Sequence, residues 1–220
     1  MIIWDQKCRR LFAARDPIGI RPLFYGYGAQ DGKIMFASEM KVLSPLCAEV
    51  HAFPPGHYYD GDGRFIRYRD ISKTARFNSD PLDKTLLEIR ERLIEAVRKR
   101  LVADVPVGYL LSGGLDSSLV CGIAARVLNK PLITYAVGLD QSPIDLPYAR
   151  KVADFIHSEH HEVRFNREDT LGCVNEVIWH TETWDITTIR ASIGMYLVCR
   201  HIHRNSDIKV LLTGEVSDEM

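Results

Sequence analysis

The run Ser112-Gly113-Gly114-Leu115-Asp116-Ser117-Ser118 concentrates the chemistry of this chain. It stands between an apolar, strand-like segment, residues 105–111, and a helix-like one, residues 119–128. A glycine-rich turn that feeds a helix N-terminus aims backbone N–H groups at one place, where an anion can sit. Two adjacent glycines let a phosphate approach the backbone, and three serines add donors. Asp116 in such a place makes sense if Mg²⁺ bridges its carboxylate to phosphate oxygens. These residue types point to a nucleotide held by its pyrophosphate. The run is not the P-loop pattern, for it has no lysine, and it matches neither the dinucleotide fingerprint nor the nucleophile elbow. The plainer reading is a helix-capping turn with spare serines.

The elements that must position this loop fall into two styles. Residues 1–70 read as short β segments, at 1–4, 11–14, 22–27, 34–37, 57–59 and 65–68, separated by turns such as Asp31-Gly32 and Asp60-Gly61-Asp62-Gly63. Strands so close in sequence predict antiparallel sheet. Residues 71–80 read as a polar linker. Asp80-Pro81 then marks a helix start, with a carboxylate cap and proline in the first position. Leu82, Leu86, Ile89, Leu93, Val97 and Leu101 follow at three- and four-residue spacing, the pattern of a long amphipathic helix.

From there strands and helices alternate through residues 81–220. Strands are expected at 105–111, 132–137, 162–165 and 208–212, and helices at 119–128, 148–156, 169–180 and 195–203. That alternation predicts an α/β domain whose parallel sheet is flanked by helices. Ligands of such sheets bind beyond the carboxyl ends of the strands. The loop at Ser112 is at one such end, and so are Val137-Gly138-Leu139 and Thr213-Gly214-Glu215-Val216-Ser217-Asp218-Glu219.

Composition narrows the classes. The chain has 220 residues and a formal net charge of -1, so nothing suggests a nucleic-acid or anionic-membrane surface. It contains no apolar run long enough to span a bilayer, and its first residues do not form a signal peptide. Five cysteines, Cys8, Cys47, Cys121, Cys173 and Cys199, are widely spaced with no CxxC pair. Neither a disulfide framework nor a zinc knuckle is indicated, and a cytoplasmic setting is expected. His157, His160 and His161 could suggest a metal, but no fourth ligand stands near them in sequence. They are expected to be exposed histidines at a helix-to-strand junction.

The run Leu111-Ser112-Gly113-Gly114-Leu115-Asp116-Ser117-Ser118 resembles the pyrophosphate loop (PP-loop) of the adenylating ATP pyrophosphatases. Four further stretches resemble glutamine-hydrolysing asparagine synthetases: Arg15-Asp16-Pro17-Ile18-Gly19-Ile20-Arg21-Pro22-Leu23, Ala37-Ser38-Glu39-Met40-Lys41, Thr187-Thr188-Ile189-Arg190-Ala191-Ser192 and Thr213-Gly214-Glu215-Val216-Ser217-Asp218-Glu219. The resemblance implies two parts. Residues 1–70 would be the C-terminal remnant of an antiparallel glutamine amidotransferase domain. Residues 81–220 would be the N-terminal part of a synthetase domain that adenylates aspartate with ATP and Mg²⁺, after which ammonia displaces AMP to give asparagine. The substrates implied are ATP, aspartate and ammonia, or glutamine in the full-length parent, which the resemblance allows to be a homodimer.

Carried onto this chain, the resemblance places the pyrophosphate on Ser112, Gly113, Gly114, Leu115, Asp116, Ser117 and Ser118. Leu111 and Val137 would contact adenosine through backbone and apolar surface, with Thr213 and Gly214 completing that pocket. Asp116 and Asp218 would ligate Mg²⁺. Glu215 would serve the aspartyl adenylate, and Thr187 and Arg190 would stabilise phosphate charge, a task that suits a forked, permanently charged guanidinium. Each has a structural alternative: Leu111 and Val137 as ordinary strand residues, Arg190 as a partner of Asp185, Arg15 and Asp16 as a supporting ion pair.

Three departures from the family pattern shape the expectation. No cysteine follows Met1, the first being Cys8; the chain stops at Met220, right after the last adenylate-pocket loop; and within that loop Val216 stands where the family usually has glycine and Thr213 for serine. The chain is therefore expected to be an internal fragment without glutaminase activity. A non-catalytic remnant and a β-lactam-forming relative are the other readings.

Overall fold

The computed structural model describes residues 1–73 and 80–215. The expected linker falls largely outside the described residues, and so do Val216 and Asp218. The chain divides into two compact units, Met1–Ser79 and Asp80–Met220.

The first unit is antiparallel, as the short strands predict. Strands β1 (Ile2–Asp5), β2 (Arg10–Ala14), β6 (His57–Tyr59) and β7 (Phe65–Arg67) form one sheet in the order β1-β2-β6-β7. Strands β3 (Phe24–Gly28), β4 (Ile34–Ala37) and β5 (Cys47–Ala52) form another, with β3 in the middle and the one-turn helix α1 (Met40–Leu43) between β4 and β5. Ala13, Leu23, Phe53 and Tyr59 make the core, ringed by Tyr25, Phe36 and Phe65. Strand β5 is absent from the sequence expectation because it is an edge strand with only Cys47 buried, so its polar residues give no clean alternation.

The loop that carries Arg15 and Asp16 is built differently from an ion pair. The Arg15 guanidinium donates to the carbonyls of Arg21, Phe53 and Gly19 at 3.0, 2.7 and 3.0 Å. The Asp16 carboxylate accepts the N–H groups of Ile18, Ile20 and Arg21. Each side chain braces the backbone separately, and together they hold the turn closed.

The second unit opens with α2 (Leu82–Arg100) and continues as β8 (Val107–Leu110), α3 (Leu115–Leu128), β9 (Ile133–Leu139), α4 (Leu146–Phe155), β10 (Glu159–Phe165), α5 (Arg167–Gly172), α6 (Val174–Thr181), α7 (Ile186–Asn205) and β11 (Val210–Leu212). Among the described residues its four strands are all parallel, in the order β10-β9-β8-β11. Two cores lie on the two faces. Tyr109, Leu111, Cys121, Ala124, Leu146 and Ala149 pack with Val97 of α2 on one. Tyr135, Val163, Val198, Ile202 and Ile208 pack on the other, where α7 lies.

Several helices begin elsewhere than expected, for local reasons. Pro81 rather than Asp80 stands at the N-cap of α2, with ψ 144° and no side-chain cap, while Asp80 accepts from Lys84 Nζ at 3.1 Å. Helix α3 starts at Leu115, four residues early, because Gly114 is extended (ψ 168°) and the next residues already turn. Helix α7 starts nine residues before the expected 195, because Asp185 caps it by accepting Thr188 N–H at 2.7 Å and Thr188 Oγ1 at 2.8 Å. The single helix expected at 169–180 is two, joined at Cys173, and the first of them opens with a capping box between Asn166 and Asp169.

The three histidines are not alike. His157 is exposed, but His160 is half-buried with Nδ1 2.9 Å from Thr134 Oγ1, and His161 stacks on Tyr135 at 5.0 Å. Among the described residues no group of three or more His, Cys, Asp or Glu could hold a metal ion, and no helix is long and apolar enough to cross a membrane.

Candidate functional site

Strand order places the site. From β8 the chain winds outward through β9 to β10 on one face, then returns on α7 across the other face to β11 beside β8. The direction of winding reverses between β8 and β11, and the crevice beyond the carboxyl ends of such a pair is where open α/β sheets bind ligands. The 112–118 loop follows β8, and Thr213 and Gly214 follow β11.

The loop is organised from inside by its own serines. Ser117 Oγ lies 2.9 Å from Ser112 Oγ and accepts Ser112 N–H at 3.2 Å. Ser118 Oγ donates to the Gly114 carbonyl at 2.6 Å, and Gly114 N–H donates to Ser112 Oγ at 3.3 Å. No side chain caps α3. Among the described residues nothing accepts from the N–H groups of Leu115, Asp116 or Ser117. Three orphan donors and the positive end of a helix macrodipole therefore face one spot.

The glycines explain the shape. Gly113 has φ +85°, the left-handed region that disfavours any side chain, and a Cβ there would lie 2.4 Å from Ala149 N. Gly114 is open by contrast: a Cβ would meet only Ser112 Oγ, at 3.4 Å. One glycine lets the loop rest on α4, and the other leaves room for an incoming group. Gly214 packs on the first turn of α3, its Cβ position 2.7 Å from Ser117 N and 2.8 Å from Asp116 C.

Leu111 is 1 % exposed and buried against α3 and α4, so only its backbone can face a ligand; the expectation of contact through its apolar side chain is corrected. Its N–H is used by the Tyr135 carbonyl at 2.8 Å. Val137 lies near the end of β9 and turns its side chain toward α7, where a Cβ on Gly194 would sit 3.6 Å from Val137 Cγ1. Arg190 is one turn earlier on α7, about 6 Å along its axis. Because α7 runs from the carboxyl edge back to the start of β11, Thr187 and Arg190 belong to that carboxyl edge. Arg190 forms no ion pair among the described residues, so it is not the partner of Asp185. Thr213 Oγ1 accepts the Glu215 N–H at 3.1 Å, and both residues are exposed.

Sequence reasoning missed the role of α4. Leu146 and the Tyr148–Ala149 backbone form the wall behind two of the site's loops, and only Pro147 in the first turn hinted that a helix begins there. Burial pushes the Cys121 thiol up to about 12, and hydrogen bonding to Asp5 raises that of exposed Cys8, which disfavours its thiolate.

The second unit is thus an open parallel α/β domain with an orphan-donor turn at the switch point of its sheet. The Asparagine synthase family matches residues 88–220, and the Glutamine amidotransferase domain family matches residues 1–45. The chain belongs to the asparagine synthase family. It is 45% identical over its whole length to a probable glutamine-hydrolysing asparagine synthetase of Schizosaccharomyces pombe, covering 42% of that protein. It is 44% identical, again over its whole length, to asparagine synthetase 2 of Arabidopsis thaliana, covering 39% of it. The chain thus spans about two-fifths of the length of the curated relatives it matches. Among solved structures, the NH3-dependent NAD synthetase of Campylobacter jejuni aligns with 56% of this chain and 54% of its own, at 18% identity and a TM-score of 0.38.

Proposed function

We propose that this chain carries the ATP-binding part of an ATP-dependent carbon–nitrogen ligase that converts aspartate to asparagine. The reaction passes through a β-aspartyl-AMP attacked by ammonia, with release of AMP and pyrophosphate. The observation that carries the reading is the set of free N–H donors of Leu115, Asp116 and Ser117 above the serine-braced turn. A pyrophosphate is the group whose charge and oxygen count suit them.

In this reading the backbone of 113–117 holds the phosphate chain, and Ser112 and Ser117 fix the curvature of the loop. The half-buried Asp116 would hold Mg²⁺, which when bound neutralises phosphate charge; Asp218 is the second ligand proposed. One carboxylate with phosphate oxygens and water suits Mg²⁺, which keeps several waters and takes few protein ligands. Leu111 and Val137 would present backbone to adenosine, beside Thr213 and Gly214. Thr187, Arg190 and Glu215 would meet the reacting phosphate and carboxylate. Their task is alignment and charge stabilisation rather than covalent chemistry. ATP, aspartate and ammonia would be the substrates, and the compartment the cytoplasm.

A displacement assay tests the reading. A fluorescent ATP analogue bound in the presence of Mg²⁺ should be released by pyrophosphate but not by sulfate at equal ionic strength. Failure of pyrophosphate to compete would remove the assignment.

A further inference from the structure

Helix α4 touches both halves of the proposed nucleotide site. A Cβ on Gly113, in the phosphate loop, would lie 2.4 Å from Ala149 N and 2.5 Å from Tyr148 C. A Cβ on Gly138, next to Val137 at the adenosine side, would lie 2.7 Å from Leu146 Cγ. Gly113 therefore sits against the backbone of this helical turn, and Gly138 against the Leu146 side chain of the same turn. Leu146 is 1 % exposed and Ala149 0 %, so the inner side of this turn is packed in the core, where side chains have little free space. The two loops come from different strands, β8 and β9, which pair in parallel in the sheet.

We propose that the first turn of α4 is the common buttress of the site, and that Leu146 is a positioning residue for nucleotide binding. Leu146 touches no ligand. It holds the 137–139 strand end in register with the 112–118 loop, so that adenosine and pyrophosphate contacts are presented at one fixed separation. A displaced α4 turn would misplace both contacts together, and ATP would lose more affinity than either half-ligand. The inference rests on the nucleotide reading above.

Hydrogen exchange on the 220-residue chain tests it without any substitution. Pyrophosphate with Mg²⁺ should slow exchange in 112–118 and also in 137–139 and 146–149, which pyrophosphate itself does not reach. Protection confined to 112–118 overturns the buttress while leaving the phosphate site standing. No protection anywhere, in a chain shown to be folded, overturns both. Among variants, Leu146→Ala should weaken ATP–Mg²⁺ binding about tenfold, with Leu146→Met restoring it to within about threefold. A folded Leu146→Ala chain that binds like the parent contradicts the inference. If Leu146→Ala does not fold, Leu146→Val carries the comparison under the same criterion.

Discussion

Gly214 lies directly on Ser117: a methyl group on its Cα would stand 2.7 Å from the Ser117 amide nitrogen. The loop after β11 is thereby seated on the first helical turn after β8, and the two carboxyl ends at the switch point share one surface. Gly214→Ala should force them apart and cut ATP–Mg²⁺ affinity by more than tenfold. Gly122→Ala on α3 is the control, since nothing lies within 4 Å of its Cβ position. It should bind normally and be neutral or more stable by up to about 1 kcal/mol. Paired titrations and thermal melts of the two variants check this.

Ser117 braces the loop through Ser112, whereas Ser118 only returns to the Gly114 carbonyl. Ser117→Ala should therefore impair pyrophosphate binding several-fold more than Ser118→Ala. Each should cost roughly 0.5–1.5 kcal/mol of stability, the usual net value of one hydrogen bond. Equal binding losses would show that the hydroxyls act alike, against the internal geometry described.

Arg190 is exposed and free of ion pairs among the described residues, so no described contact of the fold uses its charge. Arg190→Ala should leave stability within about 0.5 kcal/mol of the parent. It should weaken ATP binding and flatten its dependence on ionic strength. An unchanged salt dependence would place the guanidinium outside the reach of the phosphates.

His160 gives the second unit an acid limit. Its Nε2 is buried without a partner, while Nδ1 meets Thr134 Oγ1, itself 2.8 Å from Ser158 Oγ. Burial, with Arg150 and His161 nearby, lowers its pKa below the free value of 6.5, against the opposing pull of Glu162 and Asp154. The unfolded chain then takes up the proton first. Stability is intact above about pH 6.5 and is lost as pH falls from there toward the lowered folded value. His160→Gln should reduce that slope between pH 6.5 and 5, measured by denaturant midpoints, and His203→Gln, on an exposed face of α7, should not.

Much of this was legible in the residues. Alternating apolar runs gave the parallel sheet, and the adjacent glycines with their serines gave the phosphate turn. What stayed hidden depended on distant packing. Nothing local says that Gly113 and Gly138 meet the same helix, because Leu146 and Ala149 read as ordinary core residues. Helix α7 starts nine residues before the expected position because Thr187 and Thr188 disfavour helix locally, and the Asp185 cap overrides them. The burial of Leu111, which confines it to backbone contact, follows from α3 and α4 folding over β8, a tertiary fact.

Calorimetric titration of the folded chain with ATP and Mg²⁺ tests the central claim most directly. Binding should saturate at one site, be lost on removal of Mg²⁺ and be abolished by Gly113→Ala in any fraction that remains folded. A folded parent chain that releases no heat, or binds equally well without Mg²⁺ and with Gly113→Ala, would contradict it.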